Sequence, residues 1–372
     1  MVIKTLFSVY GYGLGHATRC EAIMKELKGA TRVVASENAY DYFNNKGYNP
    51  LRINSFKIGN IMKSFSWAQT IFENIDFPFN MLADYNQVKR LSNEFKPDAI
   101  VSDTEPVSML YAHSAGIKNY FLSNLVPIIH EYARAPVNMK NPKLDGQEAV
   151  IRMLMDMVVK RSELILSPTI NRYESVSKVK YTDLIVRQQP SELPSAEEIR
   201  EQNKLPKDYI LVSFGGASIT SEYFKTIIPV LKELTKEQFV ISTNNAVKRY
   251  TKINNLRLYP FIDDYLSMLK GCKAVICLAG HSTLSESLVY GKPSFVIPIQ
   301  EHIEQLTNAL VIDNKKLGKS FFYNNEIKAK RLKESLKEFL NNVNEYESRI
   351  KKANYKGNGH KEMAFLMEKA LK

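Results

Sequence analysis

A chain of 372 residues is too long for one ordinary core and sets an expectation of two domains. With 44% hydrophobic and 24% charged residues the whole of it can fold, and no apolar run reaches the roughly 18 to 20 residues that cross a bilayer. The formal net charge of +12 comes from bases interleaved with acids, without an RNA-binding signature, zinc finger or basic arm. That pattern argues against nucleic acid and leaves a solvated basic surface, a phosphate-bearing substrate or an anionic membrane surface. Cys20, Cys272 and Cys277 are odd in number and fall in expected core elements, which argues against a disulfide framework and for a reducing cytoplasm.

In chain order, the apolar stretch 2–10 is a first strand that runs into Gly11, Gly13 and Gly15, with a helix from about His16. A secretory signal would end in small residues at a cleavage site rather than in a glycine loop. Strands follow at 31–36, near Leu51, and at 98–103, 118–123 and 163–168, with a helix near 39–46. Residues 54–80 interrupt the alternation with an aromatic-rich segment that holds the one tryptophan, Trp67. A polar, proline-bearing stretch at 187–208 reads as a linker. Strands resume at 209–216, 237–243, 256–261, 273–280 and 293–299, and a last helix follows the break Lys356-Gly357-Asn358-Gly359. This alternation predicts an α/β chain of two Rossmann-like domains, 1–186 and 209–356, each a parallel sheet covered by helices. Ligands of such sheets bind outside the carboxyl ends of the strands, so a cleft between the domains is the expected site.

The first glycine cluster reads Gly-x-Gly-x-Gly-His from Gly11 to His16. A dinucleotide fingerprint requires glycine where His16 stands, and Glu37 after the second strand is what keeps an NAD reading open. His16 is suited to accept a proton near neutral pH, or it is a capping or structural residue. Asp103 ends a strand at the same carboxyl edge, where a carboxylate would orient the imidazole and raise its basicity. Glu105 is the competing partner, and Asp103 as a plain helix cap is the alternative.

The second half holds the more specific pattern. Gly215 and Gly216 end a strand and suit close approach of a diphosphate. The run 277–287, Cys-Leu-Ala-Gly-His-Ser-Thr-Leu-Ser-Glu-Ser, is a strand, a turn at Gly280 and His281, and a helix. That helix start offers N–H groups, the hydroxyls of Ser282 and Thr283 and a positive dipole end to a phosphate, with N-capping as the alternative role for both hydroxyls. His281 contacts phosphate or is a surface turn residue. Glu286 lies one turn in, placed for a ribose diol, and Glu304 and Gln305 begin a later helix with groups suited to sugar hydroxyls.

Taken together, the stretch from Tyr259 to Ala309 resembles the donor-binding region of the GT-B glycosyltransferases. It is similar in style to the peptidoglycan N-acetylglucosaminyltransferase and to archaeal UDP-glycosyltransferase-like proteins, and the Gly-Tyr-Gly-Leu-Gly-His-Ala-Thr-Arg loop and Asp103 match more loosely. The resemblance implies a nucleobase against Phe261 and the backbone of Ile262, and a diphosphate near Gly216, Gly280, Ser282 and Thr283. It implies a ribose on Glu286 and a sugar near Glu304, Gln305 and Asn308. It further implies that His16, paired with Asp103, deprotonates the acceptor in a single inverting displacement of UDP that requires no metal, the nucleotide-sugar being substrate rather than cofactor. A final helix, 360–372, would return to the first domain. The acceptor, lipid-linked or phosphorylated, is expected against 54–80 and loop 124–146, through Phe56, Lys57, Lys63, Phe65 and Trp67, with peripheral contact at the inner face of a membrane; the alternative is that 54–80 simply packs over the first sheet. Two rivals remain on the same fold: a UDP-sugar hydrolase, which the run from Gly13 to Cys20 also resembles, and a non-catalytic nucleotide-sugar-binding regulator.

Overall fold

The computed structural model describes residues 3–11, 13–54, 60–61, 64–65, 76–215, 220–243, 246–323 and 327–371. Phe56, Lys57, Lys63, Trp67 and Gly216 lie outside the described residues. The chain divides into two compact units: Met1–Ile61, Phe65–Arg187 and Asn358–Lys372 in the first, Met62–Ser64 and Gln188–Gly357 in the second.

The first unit is built on a seven-stranded sheet. Its order is Leu51–Arg52, Gly29–Ala35, Ile3–Val9, Ala99–Asp103, Lys118–Leu122, Leu164–Pro168 and Val179–Thr182, every neighbouring pair parallel. Central parallel strands are covered on both faces, and accordingly all five residues of Ala99–Asp103 are buried. On one face Phe7, Val9, Cys20, Ile23 and Phe43 pack with Met363 and Met367 of the helix Gly359–Leu371. On the other, Leu6, Val34 and Ile100 meet Val88 and Tyr111. Residues 358–371 are tied to the sheet by a bridge from Asn358 to Ile185 and by Gly359 N donating to Leu184 O at 2.9 Å.

The second unit repeats the plan. Its seven strands run Thr251–Ile253, Leu256–Tyr259, Gln238–Ser242, Tyr209–Ser213, Ala274–Cys277, Ser294–Val296 and Gly318–Ser320, parallel except for the hairpin of the first two. Phe239, Ile241, Ile276, Phe295 and Phe339 fill its core.

Two expectations change. The stretch expected as a linker is part of the second unit from Gln188 onward. Its helix Ala196–Gln202 begins with a capping box in which Ser195 N donates to Glu198 at 2.7 Å and Glu198 N to Ser195 Oγ at 3.2 Å. Lys270 Nζ clamps the segment through the carbonyls of Pro190 and Leu193, at 2.8 and 2.9 Å. The region expected as loop 124–146 is mostly helical, with Leu125–Arg134, a short 3-10 turn Val137–Met139 and the start of Pro142–Arg161.

Candidate functional site

Parallel pairing sets Val9 beside Asp103, so the two central strands of the first sheet end together. The chain leaving Val9 turns through Gly11, where a Cβ would stand 2.1 Å from the Ser36 carbonyl oxygen. Glycine is required there by the close approach of backbone to Ser36. Gly13 follows with φ of 76°, and the helix Gly15–Glu26 begins at Gly15 with no side-chain cap. His16 is therefore not the cap of that helix. It lies in the first turn, one-fifth exposed, with Nδ1 2.8 Å from Oδ1 of Asp103.

Asp103 is fully buried and heavily bonded. Arg19, one turn along from His16, donates Nε to Oδ2 at 2.6 Å and an amino group to Oδ1. Cys20 Sγ donates to Oδ2 at 3.2 Å and Thr104 Oγ1 to Oδ1 at 3.3 Å. Burial pushes the Asp103 carboxyl up, but the Arg19 guanidinium and then His16 outweigh it and hold the group far below the usual carboxylate range. Thr104, the next residue, sits in the left-handed region at φ of 54°, unfavourable for a β-branched residue and common beside functional groups. Glu105 is not a partner of His16. It caps the helix Pro106–Ser114, accepting from Val107 N at 2.7 Å and Ser108 N at 2.9 Å, with Ser8 Oγ donating at 2.7 Å. Asp103 caps nothing. The residue that sequence reasoning missed is Arg19; its spacing of three from His16 puts both on one helix face, which was the available signal.

In the second unit Gly215, Phe261, Gly280 and the turn around Gln300 each follow the carboxyl end of a strand, on four of the seven strands of one sheet. Gly215 is exposed with φ of 70°. The Phe261 ring is 56% exposed while Ile262 beside it is buried. The helix His281–Val289 starts from Gly280 without a side-chain cap, so neither Ser282 nor Thr283 serves as one. A Cβ on Gly280 would meet nothing within 4 Å, which leaves the turn open to a ligand. Ser285 Oγ donates to the His281 carbonyl at 2.8 Å, and Glu286 is buried one turn in.

Two later residues have structural partners. Gln305 accepts from Ile299 N at 2.9 Å, and Asn308 Nδ2 donates to Ala279 O at 2.9 Å, so both hold the turns they were expected to complement with a sugar. Glu304, partly buried, lies in the first turn of the helix Ile303–Asn314. Among the described residues no three His, Cys, Asp or Glu side chains gather as a metal site, and no helix is long and apolar enough to cross a membrane.

Comparison with known proteins follows this geometry. An uncharacterized glycosyltransferase of Methanosarcina acetivorans is 24% identical over 341 residues, covering 86% of each chain. A UDP-N-acetylglucosamine–N-acetylmuramyl-(pentapeptide) pyrophosphoryl-undecaprenol N-acetylglucosamine transferase of Alkaliphilus metalliredigens is 22% identical over 257 residues, 65% of each chain. Among solved structures, a UDP-glucosyltransferase from Polygonum tinctorium matches all of this chain and 99% of its own at a TM-score of 0.72, with 10% identity. The fold is the α/β GT-B fold of those enzymes. Residues 3–343 fit the sequence pattern of glycosyl transferase family 1, and the chain belongs to that family of glycosyltransferases.

Proposed function

We propose that the protein moves a glycosyl group from a UDP-sugar to a hydroxyl acceptor in a single inverting displacement, with His16 as general base. The observation that carries this reading is the 2.8 Å contact between His16 Nδ1 and the buried Asp103 carboxylate at the carboxyl edge of the first sheet. A carboxylate accepting from Nδ1–H leaves Nε2 as the basic nitrogen. Nε2 takes the acceptor proton as the acceptor oxygen bonds to the anomeric carbon, and the bond from that carbon to the diphosphate breaks. The uracil lies against Phe261 and the backbone of Ile262. The diphosphate lies across Gly215, Gly216, Gly280, His281, Ser282 and Thr283, with the ribose on Glu286 and the sugar near Glu304, Gln305 and Asn308. The first-turn N–H groups and positive end of the helix His281–Val289 take up the leaving charge, so the step needs no metal ion.

The Alkaliphilus relative's name supports a UDP-sugar donor and a lipid-linked, phosphorylated acceptor, which this protein would reach at a membrane surface. Phe79 and Leu82, 78% and 64% exposed and one turn apart in the helix Phe77–Phe95, support contact with such a surface. A thermal-shift screen tests the donor. UDP or a UDP-sugar at 100 times its dissociation constant adds about 2.7 kcal/mol of stability, more than ADP, GDP or NAD. A shift with NAD alone ends the reading. Release of free sugar from the donor without acceptor would replace transfer by hydrolysis.

A further inference from the structure

We propose that Arg19 is a positioning residue for His16, acting through Asp103. The proposal rests on His16 being the base. Asp103 is shared between two donors of unequal claim. The planar guanidinium of Arg19 takes both carboxylate oxygens, Nε reaching Oδ2 at 2.6 Å and an amino group reaching Oδ1. His16 Nδ1 reaches Oδ1 at 2.8 Å and lies 3.0 Å from the Arg19 amino group. That amino group only donates, so it bonds Nδ1 only when Nδ1 is unprotonated, whereas the shorter contact, to the charged Oδ1, is made by Nδ1–H and decides the tautomer. Oδ1 is thus the acceptor available to Nδ1–H, and the fork on Arg19 fixes where Oδ1 points.

Two consequences follow for the imidazole. Its proton stays on Nδ1, so Nε2 keeps its lone pair for the acceptor. The Arg19 guanidinium also offsets the Asp103 charge that faces the ring. The other groups facing His16 leave this balance to the pair. Tyr10 meets the ring edge-on with centroids 5.4 Å apart, Cys20 is a buried thiol held neutral by burial and by Asp103, and Thr104 is uncharged. Glu105 is committed to its helix cap and Ser8.

The test uses full-length protein labelled with nitrogen-15 in its six histidines, compared with Arg19→Met and Arg19→Lys. In the parent, the His16 resonances report the Nδ1–H tautomer. In Arg19→Met the tautomers mix or the ring protonates, and its titration midpoint moves to higher pH. Arg19→Lys keeps the charge without the fork, so the midpoint stays nearer the parent's while the tautomers mix. UDP affinity is unchanged in both variants, and kcat in Arg19→Met falls ~10-fold or more, short of the ~100- to 10,000-fold cost of losing a base. A folded variant with the parent's tautomer and midpoint overturns the proposal. If Arg19→Met does not fold, the same result in Arg19→Lys overturns it. The spectroscopic result stands apart from turnover: the expected tautomer shift with no dependence of rate on His16 would sink the base assignment and spare the positioning.

Discussion

The two nitrogens of His16 have different neighbours, and substitutions separate their roles. His16→Ala removes the base, so kcat falls by about 100- to 10,000-fold and the ascending limb of the pH–rate profile disappears. UDP affinity by calorimetry stays near the parent's, because the proposed donor contacts are all carried by the second unit; loss of both together would make His16 a donor ligand. From sequence, Asp103→Asn reads as the milder change, disturbing the orientation and basicity of the imidazole and leaving the base itself in place. The Arg19 fork revises that for stability: the asparagine leaves a buried guanidinium without its counter-charge, at a cost of about 3–5 kcal/mol. The folded carboxyl is held far below its unfolded range, so the unfolded chain binds that proton more readily. The stability from Asp103 is therefore complete above the unfolded carboxyl's range near pH ~4 and is lost as pH falls through the lower folded value. Denaturant titrations of parent and Asp103→Asn should diverge at pH 7 and converge in strong acid. A gap that persists unchanged to low pH would mean the charge is not what stabilises. His16 and Asp103 were legible because each ends or follows a strand at one sheet edge. Arg19 was hidden because an arginine inside a helix reads as a solvated side chain until a partner on another strand is known.

The helix His281–Val289 shows what a single element can be asked. Gly280 has ordinary extended angles, φ −69° and ψ 133°, and open space where a Cβ would go. Gly280→Val should keep stability within about 1 kcal/mol while abolishing most UDP binding, since the branched side chain fills the diphosphate's path. Equal binding in the variant would move the diphosphate elsewhere. Glu286→Ala should weaken UDP by roughly 1.5 to 3 kcal/mol, the worth of a charged hydrogen bond to the ribose; unchanged calorimetry would leave Glu286 a helix residue. The central strands could be read from sequence because burial on both faces makes them runs of apolar residues, as in Tyr209–Ser213. In the two large sheets the strands that escaped, Val179–Thr182, Thr251–Ile253 and Gly318–Ser320, are short outer members. They carry Lys180, Lys252 and Lys319 and lack a continuous apolar run. The stretch 187–208 reads as a linker because it is rich in prolines and charges, whereas the one buried side chain of its helix, Ile199, is a single apolar residue in a polar sequence.

At the scale of the whole molecule, the chain's last segment belongs to its first unit. A protein ending at Gly357 would lose the helix Gly359–Leu371 and bare the faces of Ala17, Cys20 and Ile23 that pack with Met363 and Met367. Calorimetry of that truncation should show the first unit melting early while UDP still raises the melting of the second; a single unshifted transition would make the segment dispensable. The same arrangement sets an order of events on the ribosome. Once Arg187 has emerged, the first unit holds nearly all its strands but still lacks the helix that covers one face, and the 170 residues Gln188–Gly357 must be made before it arrives. At ordinary synthesis rates that is roughly 9 to 34 s. Through that interval the second unit's whole seven-stranded sheet, Tyr209 to Ser320, is made in one stretch, while the half that carries His16, Arg19 and Asp103 waits with an apolar groove open. The core face of the helix that carries His16 and Arg19 would thus be covered only once Met363 and Met367 are made, and until then the first half of the nascent chain would be a client for chaperones.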